Sequence, residues 1–91
     1  MKLIFCPHCH DIFRIVSNKV RRCVCGKSAG IYITETNAEI YGHAIPLGFS
    51  NDSFIKALNN RKENKSVKFN AFVIEEKCPT VIHKYAGEFS D

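Results

Sequence analysis

Four cysteines near the start of this 91-residue chain have the types and spacing for metal chemistry: Cys6 and Cys9 in CPHC, and Cys23 and Cys25 in CVCG. Each pair is a short loop that brings two thiolates to about 3.8 Å from one another, the edge of a tetrahedron with Zn–S near 2.3 Å. The Cys-x-Cys pair is the tighter of the two and needs a sharp turn, for which Gly26 supplies a residue free to take positive φ. One structural Zn²⁺ is the expected cofactor. A catalytic zinc keeps an open position beside three protein ligands, whereas four thiolates close the shell. His8 and His10 flank the first pair and either could stand in for a cysteine, although an all-cysteine site needs neither.

The fifth cysteine is Cys78. An odd count of cysteines without a secretion signal argues against a disulfide framework and for metal ligation plus one spare thiol. Cys78 and His83 together invite a Cys–His nucleophile. Such a nucleophile needs a base oriented by a third group, which the sequence does not supply, so a buried small thiol near a strand start is the simpler expectation. His43 likewise reads as a packed or rim residue rather than a base. No enzymatic activity is expected, and a thiol-dependent enzyme at Cys78 is the remote alternative.

Basic residues surround the second cysteine pair: Lys19, Arg21, Arg22 and Lys27. They can be read as a phosphate-contacting patch for nucleic acid or a nucleotide, or as cations that offset the charge of about −2 carried by four thiolates on a divalent ion. Both readings stay open. Arg14 and Tyr32 could add a fork donor and a stacking ring. A second group, Lys56, Arg61, Lys62, Lys65 and Lys68, follows a helical segment and reads as a solvated face. The formal net charge of +4 falls to about +2 with zinc bound, enough for an anionic partner but short of a dedicated nucleic-acid binder.

The elements that must position these residues follow from composition and pattern. A chain that is 45% hydrophobic and 11% aromatic has the means to fold around a core. At this length a single domain, residues 1–91, is expected. The start MKLIFC carries no signal peptide and no apolar run reaches membrane-span length, so a cytoplasmic protein with no membrane partner is expected.

Residues 3–26 read as two strands joined by a turn: Ile12 to Val16 runs out, Ser17-Asn18 turns, and Val20 to Arg22 returns to the second cysteine pair. Lys27 to Gly30 is a small polar connector. Ile31 to Thr34 is a third strand, with Glu35-Thr36-Asn37 turning it into a hairpin. In residues 41–49, Tyr41, His43, Ile45, Leu47 and Phe49 alternate with Gly42, Ala44, Pro46 and Gly48, a strand with one large and one bare face. Pro46 places it at an edge or bulge.

Ser50 is a helix N-cap, Phe49 and Phe54 form a hydrophobic staple, and Asp52 suits the first turn. The helix is expected to reach about Arg61, with Phe54, Ile55 and Leu58 on its apolar face and Ala57 at the margin. Val67 to Ile74 resumes β character, Glu75-Glu76-Lys77 turns, and Thr80 to Tyr85 is a last strand.

CPHC with CVCG a short span away resembles the zinc-ribbon group, over about the first third of the chain. The resemblance implies a docking module for nucleic acid or protein. Two features depart from its common pattern: the Cys-x-Cys second pair, and His10 where glycine is usual. The segment SAGIYI to YGHAIPLGFSNDSF is also similar to small bacterial and bacteriophage proteins that couple such a ribbon to a small α+β lobe. The expected fold is therefore α+β: a zinc-ribbon hairpin lobe, residues 1–30, joined to a small antiparallel sheet with one helix, residues 31–91. The expected role is a non-enzymatic binding module with an anionic partner. The alternative is an adaptor or inhibitor that docks on protein through the apolar segment 41–49.

Overall fold

The computed structural model describes residues 1–61 and 65–84. Its elements in order are β1 (Lys2–Phe5), β2 (Ile12–Arg14), β3 (Arg21–Arg22), β4 (Ser28–Tyr32), β5 (Ala38–Gly42), β6 (Ile45–Phe49), α1 (Asn51–Asn59), β7 (Ala71–Val73) and β8 (Val81–Lys84). They form two four-stranded sheets, ordered β2-β1-β6-β7 and β3-β4-β5-β8. The α+β class expected from sequence holds. The readings on Lys62 to Asn64 and on Tyr85 to Asp91 lie outside the described residues.

The strand pairing differs from the expected out-and-back hairpin. β2 does not run back to β3; it pairs with β1, Ile4 opposite Phe13, and β3 pairs with β4, Arg22 opposite Ala29. The reason is that each cysteine loop is itself the hairpin turn. His10, at φ 62°, and Gly26, at φ 79°, take the left-handed conformation that closes these loops. The His10 N–H donates to the Cys6 carbonyl at 2.7 Å and the Gly26 N–H to the Cys23 carbonyl at 3.1 Å. Ser17 to Lys19 is then a crossing between the sheets.

Residues 28–30, expected as a connector, are fully buried strand. Small side chains are needed there. A Cβ on Gly30 would lie 2.4 Å from Ile4 Cδ1, so the Ile4 side chain of the other sheet packs onto a bare backbone here. The β4–β5 hairpin forms as expected, its turn fastened by the Asn37 N–H on Thr34 Oγ1 at 3.0 Å.

The alternation through residues 41–49 is interrupted at Gly42, and its halves enter different sheets. Gly42 has φ 68°, and a Cβ there would sit 2.1 Å from the Lys27 carbonyl oxygen, so the corner accepts only glycine. β6 is a central strand, flanked by β1 and β7, which corrects the edge placement inferred from Pro46. The Phe49 N–H donates to the Met1 carbonyl at 3.0 Å. By antiparallel alternation the odd-numbered β6 residues therefore bond to β1, and the Pro46 nitrogen points toward β7. It arrives just past Val73, where the ladder ends and only the Pro46 carbonyl is used, accepting the Ile74 N–H at 2.9 Å.

The second sheet is not wholly antiparallel, since β8 lies parallel to β5 with Ala38 opposite Val81. A parallel partner requires a long crossover, and here the chain makes it by building β6, α1 and β7 first. α1 stops at Asn59, two residues short of expectation. It packs on Ala57, while Ile55 and Leu58 are exposed. The staple is present, with Phe49 and Phe54 rings 5.7 Å apart and Phe69 against both at 5.0 and 4.8 Å. Ser50 precedes the helix in extended conformation but makes no side-chain cap. Among the described residues no helix is long and apolar enough to cross a membrane.

The core lies between the sheets and consists of Ile4, Phe13, Ile15, Ala38, Ile40, Ala44 and Val81 together with two of the metal-type cysteines, Cys6 and Cys23.

Candidate metal centre

The two hairpin turns meet, and the sulfurs of Cys6, Cys9, Cys23 and Cys25 all lie within 4.8 Å of one another. Cys6 and Cys25 are 3.8 Å apart and Cys23 and Cys25 3.5 Å. These two separations lie at or just below the edge of about 3.8 Å that four sulfurs adopt around a tetrahedral zinc. The arrangement can coordinate a metal. Among the described residues this is the group of His, Cys, Asp and Glu side chains so placed. His8 and His10 are not part of it: His8 Nε2 lies 3.1 Å from Lys27 Nζ, and the His10 ring stacks on Phe5 with centroids 5.7 Å apart.

The electrostatics of the group favour a cation. Burial opposes ionisation of Cys6, but the Ser28 side chain and the backbone N–H groups of Cys9 and His8 outweigh it and bring the thiol down to about 6. At Cys23 burial is likewise outweighed, by the Ser28 backbone N–H and the Cys25 thiol, and the pKa is lowered. Cys25 goes the other way. The Lys27 backbone N–H pulls it down, but partial burial and the three neighbouring sulfurs push it up to about 12. Four thiols this close ionise together only when a positive ion takes up the charge.

Two residues that the sequence reading passed over hold the loops in place. Asp11 Oδ2 accepts the Val24 N–H at 3.0 Å, so the first turn grips the second directly. Ser28 donates its N–H to Cys23 Sγ at 3.3 Å and accepts the Cys23 N–H at 2.9 Å. The signal for both was adjacency, a small polar residue two or three positions beyond each cysteine pair.

The cations predicted around the second pair do not share one surface. Arg21 and Arg22 are exposed neighbours on β3 and so point to opposite faces. Arg21 Nη1 donates to the Arg14 carbonyl at 3.2 Å, Lys27 turns toward His8, and Lys19 is exposed in the crossing loop. The Tyr32 ring carries Lys2 Nζ over its face at 5.7 Å, and its hydroxyl accepts the Lys2 N–H at 2.8 Å. Of the second basic group, Lys56, Arg61, Lys65 and Lys68 are exposed, and Arg61 donates to the Leu58 carbonyl near the helix end at 3.3 Å.

Cys78 is half-buried against the core, its sulfur 3.2 Å from the Thr80 hydroxyl, which with the Thr80 backbone N–H lowers its pKa. His83 Nε2 is 2.8 Å from the Gly42 carbonyl. No protein-family model, curated protein or solved structure matches the chain.

Proposed function

We propose that this chain is a non-enzymatic, single-domain binding module whose sheets are fastened by one structural Zn²⁺ on Cys6, Cys9, Cys23 and Cys25. The observation that supports the metal is the set of four sulfurs within 4.8 Å at the meeting of two hairpin turns. Zinc there supplies cohesion rather than chemistry, because four thiolates leave no position for a substrate. The partner we propose is anionic, nucleic acid or a nucleotide, contacted by exposed cations on the turn and strand that the metal fixes: Lys19, Arg21, Arg22 and Lys27. Because Arg21 and Arg22 face opposite ways, one ligand engages only part of this set. Titration with short DNA, RNA and nucleotides at two salt concentrations tests the reading. About two contacts give a slope of log K against log salt near −2, and Arg21→Ala with Arg22→Ala flattens it by one unit or more. No binding of any of these ligands at low salt rejects it.

A second reading, docking on protein, is favoured by a different surface from the one expected. Segment 41–49 is paired along both of its strands, and only His43 in it is exposed. Exposed apolar side chains lie elsewhere, among them the neighbours Phe72 and Val73 on the edge strand β7, 54% and 68% accessible. A nuclease-resistant, salt-insensitive complex that Phe72→Asp abolishes supports this alternative.

A further inference from the structure

Ser28 is the first residue of β4 and is completely buried. Its backbone is fully engaged with Cys23, donating to the sulfur at 3.3 Å and accepting from the N–H at 2.9 Å. Its hydroxyl is the one buried side-chain oxygen or nitrogen, among the described residues, with no hydrogen-bond partner. A buried hydroxyl left unmade costs about 1–3 kcal/mol, so a native position for it calls for an acceptor. The acceptors at hand are the sulfurs of the cysteine group: the Ser28 N–H already lies on Cys23 Sγ, and the fully buried Cys6 sulfur is within 4.8 Å of that atom. A thiol in its neutral form is a weak acceptor, whereas a metal-bound thiolate is a strong one that must be hydrogen-bonded in an apolar core.

We propose that Ser28 is the residue that positions and tunes the metal centre across both hairpins, its N–H on the Cys23 thiolate and its O–H on the Cys6 thiolate once the metal is bound. The inference rests on the zinc reading above and adds to it a named outer residue for the site. It accounts for why a serine stands where β4 needs only a small residue: Ala29 and Gly30 beside it satisfy the packing without a hydroxyl. One residue thereby offsets charge on a ligand from each turn, through its backbone N–H at Cys23 and its hydroxyl at Cys6, and the turns are locked to one another through β4 as well as through the metal. Loss of such an outer partner typically weakens a metal site 10–100-fold.

The test compares wild type, Ser28→Ala and Ser28→Thr, each loaded with Zn²⁺ and separately with Co²⁺. Wild type first establishes whether one metal binds per chain; failure at that step rejects the zinc reading itself. Given binding, Ser28→Ala is expected to release zinc to a competing chelator at least about tenfold more readily. Its cobalt form should show the thiolate-to-metal charge-transfer band displaced to lower energy, because a sulfur without its donor gives up an electron more easily. Ser28→Thr, which keeps the hydroxyl, should restore the band position. A packing defect alone would leave the band where it is. An unchanged band and unchanged chelator competition in Ser28→Ala, with wild type binding metal normally, overturn the role of Ser28 and leave the zinc site standing.

Discussion

The cysteine region and the α1–β7 region bury apolar side chains in different ways. Beneath the cysteine turns the packing is close: Ile4, Cys6 and Ile15 are almost wholly inaccessible, the Ile4 side chain sits on the bare backbone of Gly30, and the Lys27 backbone approaches Gly42 directly, while Cys25 and Val24 at the tip are exposed. Around α1 the aromatic trio Phe49, Phe54 and Phe69 is only partly covered, and Phe72 lies over Gly48 with about half its surface in solvent. The difference teaches where the stability of a small two-sheet protein is placed. A chain of this size has too little surface to bury for two full cores. One region is therefore condensed around strong local constraints, and the other remains an apolar surface supported from beneath.

The largest perturbation of that contrast is removal of a ligand. Cys23→Ser is expected to lose zinc and the cooperative melting of the cysteine region together, since structural zinc contributes on the order of 10–16 kcal/mol of apparent binding free energy in finger peptides. Metal analysis with a melting curve checks it, and full zinc content with an unchanged curve refutes the assignment. Acid acts through the same site. Without metal, Cys25 holds its proton up to about 12 while Cys6 is ionised above about 6. A zinc ion bound as proposed would have to displace the Cys25 proton throughout the neutral range, so affinity should fall at least about tenfold per pH unit on acidification, and more steeply below pH 6 as Cys6 also protonates. Competition titrations between pH 8 and 5.5 measure this slope; a flat profile contradicts the ligand set.

Side-chain truncation gives the smaller effects. Ile4→Ala empties a fully buried position between the sheets and is expected to cost about 2–5 kcal/mol by denaturant unfolding of the zinc-loaded protein. Phe72→Ala, at a position half in solvent, should cost no more than about 1 kcal/mol. Equal losses at the two positions would remove the contrast between the regions.

The cysteine quartet was legible because thiolate chemistry restricts both residue type and spacing. Which strands those turns join was not, because Ile12 to Val16 and Val20 to Arg22 have the composition of a hairpin whichever partners they take. Residues 41–49 show the same limit in another form. Their parity continues unbroken through Gly42, yet the positive φ and the contact with the Lys27 carbonyl end one strand and start another. The helix was legible in its start but not in its buried face, since Ala57 packs inward while the more apolar Ile55 and Leu58 face out. Burial there is decided by where the segment before β7 lies, with Phe69 on Phe54 and the Asn70 N–H on Ser53 Oγ, which is a property of the assembled fold.

The parallel seat of β8 beside β5 also bears on the order in which the chain assembles. β4 and β5 can close as a local hairpin as soon as residue 42 is made, but the far edge of β5 stays uncovered until residues 81–84 arrive. Pairings that await distant sequence form slowly, and an open edge in the interval is a template for other chains. During synthesis, β8 thus acts as a late seal on the sheet that carries half of the cysteine site.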